Sequence, residues 1–199
     1  MKQNKTFFLL LLTISLLALA GCGGKKTEEY KKDLESVASS MLENAAKAET
    51  MLNQYAAVWS HSIESKGAIS IEDMAVVTGL ETRDIEEYFT LNSIGYIPDD
   101  FSTNIHSLNR YYEGSGQLEE VEGKSKEIKN KVSELNDPPK DFEKVYEEVL
   151  DMYNLSEEYI DMAINPSGSL QSFNEDRKRL SNDILSKYKR IEVIMPNKD

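Results

Sequence analysis

Residues 27–65 read TEEYKKDLESVASSMLENAAKAETMLNQYAAVWSHSIES, and this stretch decides the fold. Its apolar side chains recur at steps of three and four residues, the spacing that aligns them along one face of an α-helix. We therefore predict one long amphipathic helix with Thr27 as its N-cap, reaching about Ser65, with Gly67 as the stop signal. The predicted apolar stripe consists of Tyr30, Leu34, Val37, Met41, Ala45, Ala48, Met51 or Leu52, Tyr55, and Val58 or Trp59.

Two members of this helix face are small or polar. Asn44 and Ala48 fall on the stripe and interrupt the large apolar side chains that line the seam of a two-stranded coiled coil. We therefore expect the helix to pack in a bundle rather than in a simple coiled-coil pair.

Three further stripes with helical spacing lie downstream. They consist of Leu118, Val121, Ile128, Val132 and Leu135; of Phe142, Val145, Val149, Met152 or Tyr153, and Ile160; and of Leu170, Phe173, Leu180, Ile184, Ile191 and Ile194. The links between them contain the helix breakers Pro138-Pro139 and Pro166-Ser167-Gly168. Such short links place successive helices antiparallel to each other.

These elements predict an all-α fold. We expect a three- to four-helix bundle over residues 27–196, with a small helical insert at about residues 67–98. Within the bundle, we predict that Asp137 is an N-cap and that Ser172 with Glu175 forms a capping box.

The composition restricts the classes of partner. The 199 residues carry 35 acidic against 23 basic side chains, which gives a formal net charge of -12. Nucleic-acid binding through bulk charge requires clustered Lys and Arg and is therefore disfavoured. The single cysteine excludes an intramolecular disulfide and a cysteine-rich zinc site.

The helical insert has a pattern of its own. Residues 71–90 resemble the helix-turn-helix unit of DNA-binding regulators, especially the MerR-like kind, with Ala75, Gly79 and Ile85 at its small, turn and core positions. Ser70 and Asp73 are the candidate caps of its first helix. The helix that would enter DNA carries the wrong sign of charge, so we predict no nucleic-acid partner. That helix holds Glu81, Asp84, Glu86 and Glu87 against Arg83 alone.

The first residues have the features of an export signal. Lys2 and Lys5 precede an apolar run from Phe7 to Ala20, which is shorter than the roughly 20 residues of a membrane-spanning helix. The run ends in Leu19-Ala20-Gly21-Cys22, which resembles the lipobox of bacterial prolipoproteins.

That resemblance implies a processed and lipid-modified protein. Residues 1–21 would form the signal peptide, and Cys22 would carry a covalent diacylglycerol. Many species that process such proteins also acylate the new amino terminus, for example with palmitate. Residues 22–26 would form the lipidated cysteine and a short tether. The implied location is the extracytoplasmic face of the cell membrane, with the bilayer and the lipoprotein-processing enzymes as partners.

Asp99-Asp100 after Pro98 is expected to cap the helix that follows the insert.

The rest of the chain resembles small helical surface lipoproteins of Gram-positive bacteria whose function is uncharacterised. The likeness rests on Pro138-Pro139, the tyrosine-rich helix that follows, and the turn at residues 166–170. It implies no activity.

Motifs for catalysis or metal binding are weak in this sequence. Gly123-Lys124-Ser125 lacks the glycine that a phosphate-binding loop needs five positions earlier. His61, Glu64 and His106 provide too few ligands for a typical metal site. We therefore expect no enzymatic activity, no metal and no cofactor other than the lipid on Cys22.

These observations favour a non-enzymatic lipoprotein that binds an unknown envelope protein or supports the envelope. The alternatives are a lipoprotein that binds a small molecule or a peptide, and a surface factor of a mobile element, such as one that excludes phage. Aromatic side chains are the candidate anchors for a partner, although the same residue types also build cores. The candidates are Tyr88, Phe89, Tyr96, Tyr111 and Tyr112.

Overall fold

A computed structural model describes the main chain of residues 3–196 and the side chains of residues 26–196. The described part of the chain forms seven α-helices, and its one β-type feature is a bridge between Ile69 and Ile97. This confirms the all-α prediction. The helices are α1 (Gln3–Glu64), α2 (Ile71–Thr78), α3 (Thr82–Tyr88), α4 (Phe101–Gly114), α5 (Gln117–Glu134), α6 (Glu143–Ile164) and α7 (Leu170–Ile194).

Four antiparallel rods form the bundle, and one of them is made of two helices. Contacts along α1 occur in reverse order on α4 and α5: the Tyr30 hydroxyl donates to the Leu135 carbonyl (2.7 Å), and the Tyr55 hydroxyl donates to Asn109 Oδ1 (2.7 Å). α4 and α5 therefore run one after the other down the same side of α1. α6 returns and α7 descends again, which gives an up-down-up-down four-helix bundle.

The core follows the predicted stripes. Leu34, Met41, Leu52 and Tyr55 are fully buried on α1, and Asn44 and Ala48 share their buried face. On α7 the predicted burial of the last stripe residue, Ile194, is wrong: Ile194 is exposed, and the following Met195 is buried instead.

Three predicted helix caps are wrong. α1 is already helical at Thr27, so the helix does not start there. α6 is entered through a 3-10 turn at Lys140–Phe142 rather than from Asp137. The capping box of α7 joins Ser169 with Ser172, because the chain becomes helical three residues before the predicted start.

The predicted helical insert, residues 67–98, lies between α1 and α4 and contains α2 and α3. As predicted, Ser70 Oγ accepts the Asp73 amide (3.0 Å) at the start of α2. Asp100 Oδ1 likewise accepts the Thr103 amide (2.6 Å) at the start of α4. Gly79 ends α2 in the left-handed region at φ +70°, where a residue without Cβ is unstrained.

Among the described residues, no helix combines the length and the apolar character needed to cross a bilayer.

Candidate functional site

The insert packs along the third of the bundle that lies farthest from residue 26, which we call the distal end. Gly114 at the end of α4 faces Tyr88 of α3 so closely that a Cβ there would lie 2.5 Å from the tyrosine hydroxyl. Arg110 Nη2 donates to the Tyr88 carbonyl at 2.6 Å. On the other side of the insert, Gln54 Nε2 donates to the Thr78 carbonyl. α1 and α4 therefore hold the insert from two sides.

A chain of aromatic contacts connects the core with the insert. Tyr55 meets Tyr112 edge to face (5.4 Å between ring centroids), Tyr112 meets Tyr111 (5.6 Å), and Tyr111 meets Tyr88 edge to face (5.5 Å). Burial, followed by the nearby charge of Glu113, raises the pKa of Tyr55 well above its ordinary value. Burial, followed by the neighbouring tyrosines, raises the pKa of Tyr112 in the same direction. Both hydroxyls therefore stay protonated and act as structural hydrogen-bond donors.

The five candidate anchors differ in their exposure to solvent. Phe89 and Tyr112 are buried within the chain and offer no surface to a partner, so their selection as anchors is wrong. Phe89 closes the insert against the core, and Tyr112 packs on Tyr55. Tyr88 and Tyr111 are half-buried between the insert and α4. Tyr96 is exposed at 43 % and is the one member of the set that is exposed rather than buried or half-buried.

Sequence analysis missed the most exposed apolar side chains of the insert. Val76 on α2 is 84 % exposed, and Ile94 in the loop after α3 is 73 % exposed. Neither residue belongs to a predicted apolar stripe, so the sequence pattern does not single it out. Six acidic residues and one basic residue accompany them within residues 67–98, and the basic residue, Arg83, pairs with Asp84 at 3.6 Å. The insert thus presents apolar side chains on a strongly acidic lobe.

A cleft lies at the distal end of the bundle, between the start of α4 and the α6–α7 turn. Its volume is 440 Å³. Trp59 of α1 forms its floor, and Phe101 of α4 stacks on the indole with ring centroids 5.6 Å apart and ring planes 9° apart. Sequence reasoning could not find this cleft, because its walls come from three segments that are far apart in the chain. The lining comprises Trp59, Phe101, Ser102, Ile105, His106, Asn109, Ile164, Asn165, Pro166, Ser167 and Gly168.

The weak metal-site residues do not assemble. Glu64 accepts the Ser60 hydroxyl (2.7 Å), and His106 Nδ1 donates to the Ser102 carbonyl (2.8 Å). His61 Nε2 is enclosed without a hydrogen-bond partner among the described residues. Within the described part of the chain, no group of three or more His, Cys, Asp or Glu side chains could hold a metal ion.

The lipobox residues Leu19, Ala20, Gly21 and Cys22 lie outside the residues whose side chains the structure describes. The signal peptide, the tether and the lipid anchor therefore stay predictions.

The comparisons with known proteins give no family for this chain. It matches no protein-family model, no curated protein and no solved structure.

Proposed function

We propose that this protein is a lipid-anchored, extracytoplasmic helical lipoprotein that binds an envelope protein through its insert. It performs no catalysis. Its partners are the bilayer, the lipoprotein-processing enzymes during maturation, and one protein with a basic, partly apolar surface.

The anchoring proposal rests on the order of residues at the start of the chain. A basic segment and an apolar run precede a four-residue lipobox, which ends in the only cysteine, Cys22. Two acyl chains bind a bilayer stably, because each buried methylene contributes about 0.8 kcal/mol. Residue 26 lies towards this anchor, and α1 extends from there to Glu64 over about 57 Å at 1.5 Å per residue. The insert is therefore attached at the end of α1 that lies opposite the anchor.

One observation carries the interaction proposal: the insert exposes large apolar side chains on an acidic lobe at the end of the bundle far from residue 26. Val76, Ile94 and Tyr96 are exposed there. Apolar side chains that are exposed together and rimmed by polar residues are typical of protein-binding surfaces. The excess of acidic residues selects a partner with a basic surface, because charges of opposite sign favour encounter and suppress wrong partners.

Site-specific photo-crosslinking in living cells tests this proposal. A photo-reactive amino acid replaces Val76 in one variant and Val193 of α7 in the other. The two valines form a matched pair, exposed at 84 % and 83 %. We expect one dominant adduct from position 76 and none above background from position 193. Equal adduct patterns from both positions, or none from either, would contradict a role of the insert in binding.

A separate experiment tests the anchor. Cells are grown with an alkyne-labelled fatty acid, and the wild-type protein is compared with Cys22→Ala and with the control Gly24→Ala. We expect lipid label on the wild-type and Gly24→Ala proteins and none on Cys22→Ala, which should remain unprocessed. If Cys22→Ala keeps the label, the lipobox interpretation is wrong.

A further inference from the structure

The distal cleft differs from the rest of this acidic protein in the chemistry of its lining. None of its eleven lining residues is Asp, Glu, Lys or Arg, although 29 % of the whole chain is charged. A site for phosphate, carboxylate or a cation would need a fixed opposite charge. The lining therefore favours an uncharged ligand.

The aromatic floor of the cleft is built from rings that contact each other. Trp59 contacts Phe101, which stacks on it nearly in parallel, and Phe173, whose centroid lies 5.7 Å away. Trp59 is almost fully buried, whereas Phe101 keeps 42 % of its surface exposed. An exposed ring with a buried ring behind it provides a fixed apolar platform for a ligand that itself has a flat apolar face.

Polar groups surround this platform. The hydroxyls of Ser102 and Ser167 form no hydrogen bond to the residues that the structure describes. Because His106 donates through Nδ1 to a carbonyl, the Nε2 atom of the neutral ring remains an acceptor. Asn165 uses its Nδ2 on Asp161 (2.9 Å), which leaves its Oδ1 as a further acceptor.

We propose that the distal cleft is a binding site for an uncharged carbohydrate. A sugar ring combines one face of C–H groups, which suits Phe101, with a rim of hydroxyls, which suits the donors and acceptors around it. The volume of 440 Å³ lies within the usual range of about 300–1,000 Å³ for small-molecule sites. This site goes beyond the proposed protein interaction, and it does not depend on the insert or on the lipid anchor.

The chain contains a built-in reporter for the test, because Trp59 is its only tryptophan. The full-length protein, in a detergent without a sugar headgroup, is titrated with cellobiose, N,N′-diacetylchitobiose and maltose while the tryptophan emission is recorded. Glucose 6-phosphate and glucuronate serve as charged counterparts. We expect a saturable change with at least one neutral sugar, with a Kd of roughly 1 mM, and binding of the charged sugars at least about tenfold weaker.

Calorimetry on variants locates the site. Phe101→Ala should weaken binding about tenfold. Leu185→Ala removes an apolar side chain of α7 that lies outside the cleft and is 41 % exposed, close to the 42 % of Phe101, and it should leave binding unchanged. If circular dichroism shows that Phe101→Ala is unfolded, Ser167→Leu takes its place, since it fills the cleft from an exposed loop.

Three results would overturn the proposal. They are the absence of a response to all three neutral sugars up to about 20 mM, equal binding of the charged sugars, and unchanged binding in the folded Phe101→Ala or Ser167→Leu protein. None of these results bears on the crosslinking at Val76, so the two proposals fail separately.

Discussion

Gly114→Ala measures how tightly the insert is held on the bundle. An added Cβ at this position would lie 2.5, 2.7 and 2.9 Å from the Oη, Cε1 and Cζ atoms of Tyr88. These distances are below van der Waals contact, so the tyrosine ring must move. The edge-to-face contact with Tyr111 resists movement of the ring, and the Arg110 bond to the Tyr88 main-chain carbonyl holds the backbone that carries it.

Two opposing effects determine how much Gly114→Ala changes the free energy of unfolding. Alanine is favoured over glycine in a helix by up to about 1 kcal/mol. Overpacking of a filled site typically costs about 1–3 kcal/mol, and loss of the contact between Tyr88 and Tyr111 adds about 0.5–1.5 kcal/mol. We therefore expect Gly114→Ala to lower the free energy of unfolding by about 0.5–4.5 kcal/mol. For a chain of this length, that corresponds to a decrease in Tm of roughly 1–18 °C.

A double-mutant cycle separates the steric effect from helix propensity. Urea denaturation is measured for the wild type, Gly114→Ala, Tyr88→Ala and the double variant. In the Tyr88→Ala background the clash is absent, so Gly114→Ala should become neutral or stabilising by up to about 1 kcal/mol. If Gly114→Ala stabilises the wild-type protein, or if its effect is the same in both backgrounds, the close packing of the insert on α4 is refuted.

Burial is the main cause that raises the pKa of Tyr30 and of Tyr159 to about 12. Since the folded state holds these protons more tightly than the unfolded state, stability should fall as the pH rises from about 10 to about 12, and urea denaturation at about pH 9 and about pH 11 checks this. Gly123→Ala in α5 has open space around the new Cβ and should raise the free energy of unfolding by up to about 1 kcal/mol. Gly79→Ala must adopt a positive φ and should lower it by about 1 kcal/mol, and urea denaturation of both variants tests the opposite signs. Asn104 is fully buried and its Nδ2 donates to Ser62 Oγ (3.0 Å) and to the Pro98 carbonyl (2.9 Å), so Asn104→Ala should cost about 1–3 kcal/mol by the same assay.

The helical stripes were predictable because burial of one helix face repeats every three to four residues. Leu118, Val121 and Ile128 on α5 and Phe173 with Leu180 on α7 are buried as expected. The helix N-caps were harder to predict, because several polar residues near a helix start can each take the capping position. At the start of α7, Ser169 takes the cap that the sequence pattern also allows at Ser172.

The surface features were less predictable for a different reason. Tyr112 and Tyr96 are the same residue type, yet one is buried and the other is exposed, because each depends on which element packs against it. The distal cleft depends on Trp59, Phe101 and Pro166 meeting at one end of the bundle. No local pattern encodes that meeting, which follows from the antiparallel order of the helices.

The bridge between Ile69 and Ile97 has a wider consequence. Each residue donates its amide to the other's carbonyl, at 2.8 and 2.9 Å, so the chain leaves the bundle and re-enters it at nearly the same point. The segment between them contributes Met74, Ile85 and Phe89 to the core, so a replacement that keeps these buried residues would leave the spacing of α1 and α4 unchanged. Lengthening an exposed loop of the segment costs only about 0.6 kcal/mol of loop closure for each doubling in length. The bundle can thus act as a constant scaffold for an insert whose exposed face is exchangeable. A lineage could change what this protein recognises there while keeping the core, the turns and the registration of its four rods intact.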